Sequence, residues 1–68
     1  MKIIYDKETD TLSLIFNESQ IIESDELRDG IIIDFDIQGH IVAVEILDAS
    51  QTIKDPTAIS YEMVEKSA

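Results

Sequence analysis

Isoleucine-rich runs of β-branched residues, broken at regular intervals by acidic turn formers, constrain this chain more than any other feature. Ile3-Ile4, Ile21-Ile22 and Ile31-Ile32-Ile33 alternate with Asp6-Lys7-Glu8-Thr9-Asp10, Asn17-Glu18-Ser19, Asp29-Gly30 and Asp36-Ile37-Gln38-Gly39. Short runs at this spacing are the mark of an antiparallel meander. A chain of 68 residues makes one domain with a thin core, since a fold of about 60 residues buries only roughly 60% of its unfolded surface. Small folds offset that deficit with disulfides, a metal or a partner subunit. The chain has no cysteine, so association with another chain is the staple that remains.

Fifteen acidic residues against five basic ones give a formal net charge of -10. Such a surface repels phosphate, which disfavours direct nucleic-acid binding and anionic membranes alike. It attracts basic proteins and, weakly, divalent cations. The 44% hydrophobic content argues for a folded chain rather than an acidic tail. No apolar run approaches the ~20 residues of a membrane span, and the start Met1-Lys2-Ile3-Ile4-Tyr5-Asp6 is charged too early for a secretory signal. A cytosolic location is expected.

The first two runs form a hairpin if Asp6 pairs with Thr11 across Lys7 to Asp10. Tyr5 then faces Leu12, Ile3 faces Leu14 and Ile4 faces Ser13, leaving one face continuously apolar. A second hairpin closes on Asp36-Ile37-Gln38-Gly39, a type I turn followed by a glycine in the left-handed region. Simple pairing from that turn sets Phe35 against Ile41, Ile33 against Ala43 and Ile31 against Glu45. One face then carries Ile31, Ile33, Phe35, Ile41, Ala43 and Leu47, and the other Ile32, Val42, Val44 and Ile46. Apolar residues on both faces call for cover on both. The band Ile32, Val42, Val44 and Ile46 is therefore the expected interaction face of a homodimer.

The run Gln20 to Leu27 reads as an edge strand, or as one joined by a connection wider than Asp29-Gly30. After Leu47 the pattern changes: Asp48 or Ser50 can cap a short helical turn. Asp55-Pro56 reads as an N-cap with proline at the first helical position, predicting a helix from Pro56 to about Lys66. The expected class is α+β and β-rich: a meander of four to five short antiparallel strands over residues 1–50, with a C-terminal helical extension over 51–68 completing a single domain.

Lys2-Ile3-Ile4-Tyr5-Asp6, Asp10-Thr11-Leu12-Ser13-Leu14, Gly30 to Asp36 and above all the stretch Glu45-Ile46-Leu47-Asp48-Ala49-Ser50 resemble the prokaryotic family called domain of unknown function 2283. The resemblance covers Met1 to about Ser50. It implies the meander and supplies no catalytic residues. Members are often encoded beside small toxin-like proteins, which implies an antitoxin-like role toward a small basic partner.

Asp34, Asp36, Gln38, Gly39 and Glu45 follow the spacing of a calcium-binding loop, with Gln38 as the one mismatch. That mechanism needs flanking helices, whereas the flanks here are β-branched, and simple hairpin register sends Glu45 to the face opposite Asp34 and Asp36. A hairpin turn accounts for the pattern better. Asp6, Glu8 and Asp10 begin the same spacing without its glycine or its last glutamate. His40 opposite Asp36 is an exposed cross-strand pair with no nucleophile beside it. Ser13, Ser24, Ser50 and Ser60 sit in no nucleophile-elbow context. The expectation is a non-enzymatic protein-interaction module without cofactor or catalytic residues; the alternative is a divalent-cation-binding domain using Asp34 to Glu45.

Overall fold

The computed structural model describes residues 1–66. It is a single five-stranded antiparallel sheet: β1 (Lys2–Asp6), β2 (Thr11–Ile15), β3 (Glu23–Arg28), β4 (Ile31–Phe35) and β5 (Ile41–Ile46), in the order β1-β2-β5-β4-β3. Two local units, the β1–β2 hairpin and the β3–β4–β5 meander, join where β2 pairs with β5.

The first hairpin has the register expected of it. Ile3 pairs with Leu14, Ile4 with Ser13, Tyr5 with Leu12 and Asp6 with Thr11. The Asp6 carboxylate accepts the Glu8 backbone N–H at 2.9 Å, turning the chain inside the loop.

The β4–β5 turn also matches expectation: the Gly39 N–H donates to the Asp36 carbonyl at 3.0 Å, and Gly39 has φ +83°. A β-carbon there meets nothing within 4 Å, so substitution costs backbone strain alone. Gly39→Val is expected to lower stability by about 1 kcal/mol, read as a fall in the urea midpoint.

Beyond that turn the expected register fails. Phe35 does pair with Ile41, but Asp34 then pairs with Ala43, Ile33 with Val44, Ile32 with Glu45 and Ile31 with Ile46. Ile41 and Val42 together oppose Phe35, a β-bulge that re-phases the rest of β5. Directly opposed residues point to the same side of a sheet, so Val44 and Ile46 share a face with Ile31 and Ile33, not with Ile32. The pairing of β2 with β5 obeys the same phase, setting Leu14 against Val44 and Leu12 against Ile46.

β3 is an edge strand, and every one of its residues is exposed. The connection to β4 is no wider than Asp29-Gly30, because Arg28 pairs directly with Ile31. A bulge at Leu27 lets Glu26 pair with Ile32 and Asp25 with Ile33, so Glu26 avoids the partner Ile33 that a regular two-residue hairpin assigns it.

The C-terminal helix is not formed. After β5 the only helical element among the described residues is a 3-10 turn at Ala49–Gln51. Asp48, at its N-cap position, has φ 50° and makes no side-chain cap. Asp55-Pro56 starts a turn instead: the Ala58 N–H reaches the Asp55 carbonyl at 3.1 Å, and the Asp55 carboxylate accepts from the Thr57 N–H at 3.0 Å and its hydroxyl at 2.5 Å. Those bonds resemble an N-cap, but no helix follows them, because Ile59 and Met63 stay exposed and no burial rewards further helical turns. Residues 57–66 are exposed and carry no regular structure, and the end of the expected extension beyond Lys66 lies outside the described residues.

Candidate interaction surface

Register sorts the side chains into two unlike faces. On one, Ile3, Leu14, Val44 and Ile33 stand in a row across four strands, and Tyr5, Leu12, Ile46 and Ile31 form a second row. Alternation along the strands adds Phe16, Val42 and Phe35 to the same side. Of these only Leu12 and Val42, 7% and 3% exposed, are buried. Toward β3 the rows end on charged residues, with Asp25 beside Ile33, Arg28 beside Ile31 and Glu23 beside Phe35. An apolar centre with a charged margin is the anatomy of a protein interface.

The other face is mixed. Ile4, Ser13, Glu45, Ile32 and Glu26 make one row across it, and Lys2, Ile15, Ala43, Asp34 and Ser24 make the next. Asp34 is only 5% exposed, and its carboxylate accepts the Ser24 hydroxyl at 2.5 Å. Glu45 lies on this same side. Burial, the charge of Asp34 and a hydrogen bond between the two carboxyls raise the Glu45 pKa above its ordinary value. The expected interaction band is therefore divided: Ile32 belongs to the mixed face with Glu45, while Val42, Val44 and Ile46 belong to the apolar one.

The same bulge corrects the placement of Glu45 in the calcium-like spacing, since it brings Glu45 to the side of Asp34. Asp36 is engaged elsewhere. Its Oδ1 accepts the backbone N–H groups of Gln38 and His40, each at 2.9 Å. Burial opposes its ionisation, but those two donors, the nearby His40 and the Ser19 hydroxyl outweigh it and lower its pKa. Its Oδ2 lies 3.8 Å from His40 Nδ1, and His40 is largely exposed. Among the described residues, no three acidic or histidine side chains converge on a point where they would hold a metal ion.

One polar junction left no mark on sequence pattern. Asp10, with φ 55°, accepts the Tyr5 hydroxyl at 2.6 Å and, 40 residues away, the Ser50 hydroxyl at 2.6 Å and the Ser50 N–H at 3.1 Å. Its own carbonyl accepts the Ala49 N–H at 2.8 Å. The bonds from Ser50 and Tyr5 lower the Asp10 pKa, and donating to Asp10 raises that of Tyr5. The junction ties the first hairpin to the end of β5. No periodicity reports a contact so distant in the chain.

Residues 2–50 match the family described as protein of unknown function, DUF2283. The chain belongs to that family. No curated protein and no solved structure matches it. The DUF2283 segment holds all five strands and ends at Ser50, the residue that closes the junction with Asp10. Everything from Gln51 onward lies outside it.

Proposed function

We propose that this DUF2283 protein is a non-enzymatic protein-interaction module, and that its acidic surface receives a small basic protein in an antitoxin-like pairing. The observation that carries the reading is the division of the sheet. Apolar side chains gather on one face, while the acidic residues behind the net charge of -10 lie on the mixed face, the turns, the exposed β3 edge and the C-terminal segment. Glu23, Asp25 and Glu26 line that edge. A surface with this balance speeds encounter with a cationic partner and discriminates against acidic ones.

The test begins with recovery of the tagged chain from its natural host, followed by reconstitution with its stoichiometric companion. The companion should be basic, and affinity should fall steadily as salt rises. Joint replacement of Glu23, Asp25 and Glu26 by Gln, Asn and Gln should weaken the pair about tenfold, mainly by slowing association. A neutral or acidic companion, or an affinity indifferent to salt, overturns the reading.

A further inference from the structure

We infer that the apolar face is the contact surface of a two-fold homodimer, in which a second copy of this chain lays the same face against it. The inference builds on the protein-interaction reading and names the occupant of one surface.

Two quantities support a second copy. The chain exposes 5735 Å², whereas a compact monomer of its mass exposes about 4,300 Å². Its radius of gyration is 13.8 Å, against about 11 Å for a compact domain of this length. Residues 57–66, all exposed, contribute to both figures, as does a sheet that has no second layer among the described residues. A standard interface removes about 800 Å² from each partner, and of the eleven apolar-face side chains only Leu12 and Val42 are buried, leaving nine that a second copy can cover.

Chemistry selects the face. Sheet-on-sheet packing needs side chains that interdigitate without stranding polar groups. The rows through Leu14–Val44 and Leu12–Ile46 meet that condition. The mixed face does not: Asp34, Glu45 and Glu26 outnumber Lys2, the basic strand residue on that side, so pairing it with itself buries carboxylates that lack a matching cation. A two-fold axis makes one patch cover its own copy, and the charged residues of β3 remain at the rim. Because both copies carry -10, added salt should tighten the pair, the reverse of its effect on a basic companion.

Neighbouring residues of β1 supply a matched test. Ile3 and Ile4 are 39% and 41% exposed, so a charge at either costs the monomer similarly little, yet they point to opposite faces. The wild-type chain should sediment as a dimer, more so at high salt. Ile3→Glu should weaken dimerisation at least about tenfold, and Ile4→Glu by no more than about threefold. Circular dichroism should show both variants folded. A second measurement needs no substitution: on dilution of the wild type, methyl resonances of Leu14, Val44 and Ile33 should shift while those of Ile4 and Ile32 stay fixed. A wild-type monomer at millimolar concentration overturns the dimer and leaves the basic-companion reading to its own test. Equal losses from Ile3→Glu and Ile4→Glu indicate association through the β1 edge and overturn the face assignment.

Discussion

Leu12→Ala should remove about 2–3 kcal/mol of stability, a large share of the roughly 3–10 kcal/mol that a domain of this size possesses. Leu12 is one of the few buried large side chains, at 7% exposure. It sits between Tyr5 and Ile46 on the apolar face. Truncation leaves a gap between β1 and β5 that a single-layer sheet has little neighbouring mass to refill. Urea unfolding should show a markedly lower midpoint with an unchanged slope. Protein concentration must be held fixed, since any association of folded chains adds stability by mass action. Ile37→Ala provides the contrast: Ile37 is 83% exposed in the β4–β5 turn and should change stability by less than about 0.5 kcal/mol. Similar small effects from both would show that Leu12 does not support the fold.

Glu45→Gln should stabilise the protein near neutral pH, by on the order of 1 kcal/mol once solvent screening at the partly exposed Glu45 is allowed for. Burial and the Asp34 carboxylate raise the Glu45 pKa above its ordinary 4.5. Between 4.5 and that raised value the folded chain retains a proton that the unfolded chain has lost. The contribution of Glu45 is thus fully present below the unfolded pKa and disappears as pH rises through the folded one. Asp10, Asp36 and Asp55 have the opposite sign. Hydrogen bonds hold each below its ordinary 3.8, so they stabilise above that value and their contribution is lost as pH falls through the lowered pKa. Thermal melts from neutral to acid should therefore show wild type and Glu45→Gln converging toward pH 4. Both should then lose stability together under stronger acid. A constant offset between the two across that range would exclude the like-charge contact as its cause.

The first hairpin was legible because Asp6 and Thr11 close a loop of fixed length, and the alternation of Ile3, Tyr5, Leu12 and Leu14 admits one register. The β4–β5 turn was legible from Gly39. The bulge behind it was not. Ile41, Val42, Ala43, Val44 and Ile46 put apolar atoms on both sides of β5, so a shift by one residue changes the pattern little. The choice is made by β2, whose Leu12 and Leu14 need Ile46 and Val44 opposite them, a partnership 30 and more residues away. The C-terminal error had a different origin. Asp55-Pro56 is as good a start for a turn as for a helix, and Ile59 and Met63 remain exposed, so no burial rewarded further helical turns. Of the band Ile32, Val42, Val44 and Ile46, the last three do share one side of the sheet, while Ile32 was assigned there through the missed bulge.

The strand order also bears on how the chain folds. Each of the two local units closes through short turns and can form early, whereas β2 and β5 meet only after the β3–β4–β5 unit has been drawn back against the first hairpin. That seam holds four residue pairs and is fastened at one end by Asp10 and Ser50. Its closure carries most of the loop entropy of folding, the kind of non-local step that sets the rate in small β proteins. Before it forms, each half presents an unguarded strand edge, β2 in one and β5 in the other, on which the half of a neighbouring molecule can pair in its place. Exchange of hairpins between molecules is accordingly the characteristic misassembly open to this topology.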